Sequence, residues 1–185
     1  MREDVDRIVI REHELAERVT AMAREIAAGY PDSAEGITIV TVLAGSLVFL
    51  SDLIRRLPLK MRIGLITVSS YAGRTTLSNG AALASSFLPD LRNRHVLIVD
   101  DILETGGTLR LVQSQIRAAG PRSVKTAVLL RKTAKAPTDL PVEFIGFDIE
   151  DLFVVGYGLD YDGLYRNLPY IAVLRPELYR TGAEP

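Results

Sequence analysis

Cysteine is absent from the 185 residues, which excludes disulfides and thiolate metal sites and fits a reducing compartment. No apolar run reaches the length of a membrane span. The opening residues, Met1-Arg2-Glu3-Asp4-Val5-Asp6, are acidic and lack the apolar core of a signal peptide. An excess of one charge is missing too. The formal net charge is −1, so no overall field draws the chain to nucleic acid or anionic lipid. Together these absences predict a soluble, cytoplasmic protein with neither a membrane nor a nucleic-acid partner. What is present, 48% hydrophobic against 24% charged residues, is ordinary globular composition in a length that suits one domain with a sizeable core.

Periodicity then divides the chain. Leu15, Val19, Met22, Ala23 and Ile26 recur at helical spacing over Glu12–Ala28, and Gly29-Tyr30-Pro31 stops the pattern. Ile37–Leu43 is β-branched and almost wholly apolar, as expected of a strand covered on both faces. A second helix places Leu50, Leu53, Ile54 and Leu57 on one side before Pro58. Residues 60–70 read as a strand, 71–80 as a long polar loop of the kind that forms lids, and 81–88 as a return strand. Leu109, Val112, Ile116 and Ala119 mark a third helix closed by Gly120-Pro121, and 124–130 another strand. Short strands near 144–147, 153–157 and 170–174 follow, separated by turns. Strand–helix alternation predicts an α/β fold with a mostly parallel central sheet flanked by helices, and the last third reads as a smaller appended lobe, a small hood of C-terminal and N-terminal residues.

The most informative stretch is His95-Val96-Leu97-Ile98-Val99-Asp100-Asp101-Ile102-Leu103-Glu104-Thr105-Gly106-Gly107-Thr108. An apolar run ends in two carboxylates, a third acid follows, and a Thr-Gly-Gly-Thr turn opens a helical pattern. A buried strand of this kind delivers its loop to the carboxyl edge of a parallel sheet, where ligands bind in open α/β folds. The turn leaves backbone N–H groups free at a helix N-terminus, a ready anion site. Alone, the acid pair reads equally well as loop-start residues with helix-capping duties. Glu104 beside it and the amide turn after it favour a site that holds hydroxyls or a cation next to a phosphate. No Gly-Lys-Ser/Thr ending and no G-x-G-x-x-G fingerprint is present, so a single phosphate fits better than a chain of them. A sugar phosphate is the ligand this combination suits.

The run from Val99 to Thr108 resembles the phosphoribosyl pyrophosphate motif of the type I phosphoribosyltransferases. Other segments narrow the resemblance to the hypoxanthine-guanine phosphoribosyltransferases. Val42-Leu43-Ala44-Gly45-Ser46-Leu47-Val48-Phe49 is similar to their first ligand loop, and Ser69-Ser70-Tyr71 with Gly73 and Thr76 to their lid. Leu129-Leu130-Arg131-Lys132 resembles the strand end that bears their purine-contacting lysine. Phe153-Val154-Val155-Gly156-Tyr157-Gly158-Leu159-Asp160-Tyr161 through Tyr165-Arg166-Asn167-Leu168-Pro169 is similar to their purine hood. The match runs in order from about Ile8 to Tyr179. It implies one domain over residues 1–185, with a core at about 10–135 and a purine-binding hood at about 140–180.

The resemblance implies transfer of 5-phosphoribose from phosphoribosyl pyrophosphate to hypoxanthine or guanine, with Mg2+ as cofactor, in a homodimer or homotetramer. Ala44, Gly45, Ser70, Tyr71, Asp100, Asp101, Glu104, Thr105, Gly106, Gly107, Thr108 and Arg166 would meet phosphoribosyl pyrophosphate. Asp100 and Asp101 would hold the ribose hydroxyls directly or through magnesium, and Asp160 a second magnesium. Ile102, Lys132, Phe153, Val154 and Asp160 would line the purine side, with Phe153 stacked on the base and Lys132 donating to the 6-oxo group. Glu104 would manage the ring proton. The family has aspartate there, and the extra methylene shifts the reach by roughly 1 Å. Ala44 and Leu152 also stand where lysine is frequent, and the family's cis peptide would fall at Leu43-Ala44. His13 and His95, far apart in sequence, read as structural. Two other functions stay open at this point: a non-catalytic regulator that senses phosphoribosyl pyrophosphate or nucleotides, and a transferase for xanthine.

Overall fold

A computed structural model describes residues 1–31, 35–70 and 81–178. In chain order its regular elements are β1 (Val5–Ile10), α1 (Glu12–Ala28), β2 (Ile37–Leu43), α2 (Leu47–Ile54), β3 (Met61–Ser70), β4 (Ala81–Phe87), β5 (His95–Leu103), α3 (Gly107–Ala118), β6 (Ser123–Lys132), β7 (Phe144–Ile149), β8 (Val154–Val155) and β9 (Ile171–Leu174). Six strands form one sheet in the order β4-β3-β2-β5-β6-β7. All neighbours in it pair in parallel except β4, which runs antiparallel on the edge of β3. β1, β9 and β8 form a separate antiparallel sheet. Strand alternation and the helix stripes explain the layers. Ile37, Ile39, Leu97, Val99 and Leu129 pack under α1 and α2, whereas Val40, Val42, Val96, Ile98 and Val128 pack under α3. β2 and β5 lie at the centre, buried from both sides, which is why their sequences read as near-continuous apolar runs.

The expected α/β architecture is present, and α1 and β2 fall on their expected bounds. Four differences have physical causes. Residues 144–149, grouped by sequence with the terminal lobe, instead pair with β6 as the outer parallel strand of the main sheet. Arg18 of α1 holds them there, donating through Nε to the Gly146 carbonyl and through Nη2 to that of Ile145. The lobe is completed from the N-terminus, where β1 pairs with β9, a strand the short and charged Val-Asp-Arg-Ile-Val-Ile run did not signal. α2 ends at Ile54, short of Pro58, because Arg56 and Leu57 donate to carbonyls only three residues back and tighten the final turn. β8 keeps only two residues, since Gly156 and Tyr157 both take positive φ and end the extended run. No helix among the described residues is long and apolar enough to cross a membrane.

The central strands carry the core, so truncating one there tests the layering. Leu97 is fully buried beneath α1 and α2, and Leu97→Ala should lower unfolding free energy by about 3 kcal/mol in urea titration. A loss under about 1 kcal/mol would place that side chain outside the core.

Candidate active site

The acid pair sits inside β5 rather than after it. The parallel pairing with β6 continues through Asp100 opposite Val128 and Ile102 opposite Leu130, to Leu103 opposite Arg131. β5 buries Asp100, which is only 5% exposed, and leaves Asp101 half-buried beside it. The Asp101 amide donates to Asp100 Oδ1 at 3.0 Å, and the Ile102 amide to Asp101 Oδ1 at 2.8 Å. Burial pushes the Asp100 carboxyl well above the usual carboxylate range, and the neighbouring charge of Asp101 adds to it. Burial raises Asp101 as well, opposed by hydrogen bonds from Asp100 and the Ile102 amide and by the charge of Arg166.

Asp101 lies against the loop between β2 and α2. A Cβ built on Gly45 would stand 1.7 Å from Asp101 Oδ2, so no larger residue fits there with Asp101 in place. On its other side, a Cβ on Gly158 would stand 2.0 Å from the Gly45 carbonyl oxygen. Backbone of the first ligand loop is thus held between an acid of β5 and the hood. The Leu43–Ala44 peptide is cis, as the resemblance implies. Ser46 ties the loop back to its strand by hydrogen bonding to Thr41 Oγ1 at 2.7 Å and to the Val42 carbonyl.

Beyond Leu103 the chain turns through Glu104, Thr105 and Gly106 into α3. Gly106 takes φ +77, and a Cβ there would press on Pro137 Cγ at 2.8 Å, so both conformation and contact call for glycine. No side chain caps α3, and Gly107 has nothing within 4 Å of where a Cβ would stand. The first turn is thus left without a side-chain cap and with open space at Gly107, the arrangement that can receive a phosphate.

Register brings Glu104 level with Lys132 at the end of β6. Lys132 is nearly buried. Its Nζ lies 2.7 Å from Glu104 Oε1 and 3.1 Å from Asp151 Oδ1. Lys135 reaches the same two acids, at 3.3 Å and 2.8 Å. Two ammonium groups and two carboxylates form a closed ring without net charge. The hydrogen bond from Lys132 holds the Glu104 carboxyl below its usual range against the opposing effect of burial, and Lys135 adds to the lowering.

The hood presents Phe153 at 43% exposure, edge-on to Tyr161 with ring centroids 5.7 Å apart. Val154 is buried in β8, the edge strand of its sheet, so one side of its backbone has no strand beside it. Asp160 is committed to Arg166 Nη2 at 2.7 Å and to the Gly163 amide at 2.8 Å, while Arg166 Nη1 donates to the Gly158 carbonyl at 2.6 Å. Among the described residues no three acidic or histidine side chains converge to cage a metal. Asp100 and Asp101 thus form a two-carboxylate site, separate from Asp160.

Most of the residues singled out by sequence therefore flank one edge of the sheet. Ser70 closes β3, and Tyr71, Gly73 and Thr76 of the expected lid lie outside the described residues. Leu152 packs against the core instead of facing a ligand. His95 Nδ1 lies 2.7 Å from Ser123 Oγ and its ring meets Tyr30 edge-on, a structural setting. Lys135, Asp151 and Ser46 were missed. Spacing offered a signal only for Lys135, three residues past Lys132 in a Thr-Ala-Lys-Ala-Pro turn.

A family model described as "Phosphoribosyl transferase domain" matches residues 9–162. The chain is 35% identical over 181 residues to the hypoxanthine-guanine phosphoribosyltransferase of Mycobacterium avium, covering 96% of this chain and 89% of that protein. It is 37% identical over 164 residues to the hypoxanthine phosphoribosyltransferase of Escherichia coli (strain K12), covering 89% and 92%. The crystal structure of a hypoxanthine phosphoribosyltransferase from Staphylococcus aureus superposes with a TM-score of 0.88 at 35% identity, covering 97% of this chain and 96% of that one. On the family match over most of its length and on these relatives, the chain belongs to the phosphoribosyltransferases, in their hypoxanthine-guanine family.

Proposed function

We propose that this protein is a purine-salvage transferase that moves the 5-phosphoribosyl group of phosphoribosyl pyrophosphate to hypoxanthine or guanine, giving IMP or GMP and pyrophosphate. The observation that carries the reading is the convergence, at the ends of β5 and β6, of buried Asp100, half-buried Asp101, the uncapped first turn of α3 and buried Lys132. In the transfer the bond from the anomeric carbon to the pyrophosphate oxygen breaks, a bond to a purine ring nitrogen forms, and that nitrogen loses its proton. The sugar passes through an oxocarbenium-like state, so the site works by positioning and by placing negative charge near the reacting carbon.

Each residue has a task in this scheme. The amides of Thr105, Gly106, Gly107 and Thr108 hold the 5-phosphate, and Asp100 and Asp101 take the ribose hydroxyls. Lys132 donates to the 6-oxo group, while Glu104 accepts the ring proton. Phe153 and Ile102 cover the two faces of the base, and the open edge at Val154 meets its rim. Ala44, Gly45 and Arg166 face the pyrophosphate, with Ser70 and Tyr71 over the sugar. Magnesium suits the acid pair: one buried and one half-buried carboxylate, with no third acid or histidine converging on them among the described residues, fit a hard cation that completes its shell with water and substrate oxygens. Bound there, it would neutralise charge on the departing pyrophosphate. The same reading places Asp160 at a second magnesium, in exchange for its bond to Arg166, and gives the protein a homodimeric or homotetrameric assembly.

Initial-rate assays with each purine and phosphoribosyl pyrophosphate test the activity. IMP and GMP should form, with adenine slower by roughly a thousandfold or more, because its 6-amino group offers Lys132 no acceptor. No nucleotide from either oxopurine would end this reading. Glu104→Gln, which keeps the shape but cannot take the proton, should lower kcat roughly 100-fold or more. Retention of kcat within about threefold would remove Glu104 from proton transfer.

A further inference from the structure

Glutamate at position 104 carries its carboxylate on one more rotatable bond than aspartate would, and nothing in the strand itself fixes that longer arm. Two lysines do. Glu104 Oε1 lies 2.7 Å from Lys132 Nζ and 3.3 Å from Lys135 Nζ, and Asp151 closes the ring through one oxygen to each lysine. Lys132 has three N–H donors and spends two on the acids, which leaves one for a ligand. Lys135 makes the same two ion pairs from outside, at 44% side-chain exposure against 8% for Lys132.

The backbone explains why Lys135 stands there. After β6 the chain folds back at once: the amides of Lys135 and Ala136 both donate to the Lys132 carbonyl, at 3.1 Å and 2.8 Å. The same segment then runs beneath the phosphate turn, where Pro137 and Leu140 lie against Gly106 and Asp139 pairs with Arg110 of α3. The segment that supplies Lys135 thus also borders the turn that follows Glu104.

The geometry points to Lys135 as a positioning residue for the transfer: with Asp151 as its counter-ion, it anchors the longer Glu104 side chain and leaves Lys132 a donor for the 6-oxo group. This rests on the transferase reading above. Without Lys135 a single ammonium faces two carboxylates, Glu104 loses one of its two holds, and Lys132 is drawn more tightly to the acids than to the base. Among the described residues the charged groups in ion-pairing reach of Glu104 are Lys132 of β6 and Lys135 of the following turn, with Asp151 beyond them.

Lys135→Met and Lys135→Arg, each also in a Glu104→Asp background, test the idea by kinetics and by 13C carboxyl NMR titration of residue 104. Lys135→Met should lower purine kcat/KM roughly tenfold while the KM for phosphoribosyl pyrophosphate changes less than about twofold. Its acid limb should move to higher pH, because a carboxylate that loses a neighbouring cation binds its proton more tightly. Lys135→Arg should restore most of the rate, and Lys135→Met should cost less when residue 104 is aspartate. Unchanged purine kcat/KM in Lys135→Met, or a loss that Lys135→Arg does not rescue, would overturn the assignment. The titration needs no turnover, so it separates this inference from the transferase reading. If the wild-type protein forms no nucleotide, the transferase reading fails. An upward shift of Glu104 in Lys135→Met still upholds its hold on that carboxylate, and no shift removes it.

Discussion

Two carboxyl groups adjacent in sequence and cut off from water cannot both carry full charge without a cation or hydrogen-bond donors to compensate. The site is built around that constraint. β5 buries Asp100 and half-buries Asp101, and among the described residues two backbone amides, the bond between the two acids and the charge of Arg166 act against their repulsion. Ligand hydroxyls or a hard cation would complete what the protein leaves short. In the proposed reaction that binding energy would go to the sugar, where the transition state gathers positive charge.

A second cluster a few residues away follows the opposite rule. Glu104, Lys132, Lys135 and Asp151 balance one another, so this end of the site carries no net charge before a base arrives. Such a ring contributes little to stability where it is exposed. Its value lies in geometry: it aims a lysine donor and fixes a carboxylate that would otherwise sample several rotamers. Under the proposed function the two clusters divide the work, the first for sugar and phosphate, the second for the purine. The three-way contact of Asp101, Gly45 and Gly158 locks the first ligand loop and hood together beside them.

Much of this was legible in the chain. The Val99–Thr108 run combined a buried-strand pattern, acids and a turn without a capping side chain, and each of those signals survives in three dimensions. Helical spacing placed α1 on its bounds because its apolar stripe and its stop at Gly29 agree. Local pattern failed where a partner distant in sequence decides the outcome. Residues 144–149 joined the main sheet because β6 and Arg18 were waiting for them, and β1 became a strand only through β9. The charge ring was hidden for the same reason: Asp151 reads as one more surface acid until the chain end of β6 brings two lysines to it. Close approaches such as Gly45 to Asp101 leave no trace in spacing at all.

The account rests on a phosphate held by the α3 amides and a base held between Ile102 and Phe153, so a crystal structure with GMP and magnesium tests it most directly. It should show the 5-phosphate on the amides of residues 105–108, the ribose against Asp100 and Asp101, and Lys132 Nζ on the 6-oxo group. A nucleotide lodged elsewhere, for example in the cavity of about 410 Å³ lined by Ile8, Phe147 and Leu152, would contradict it.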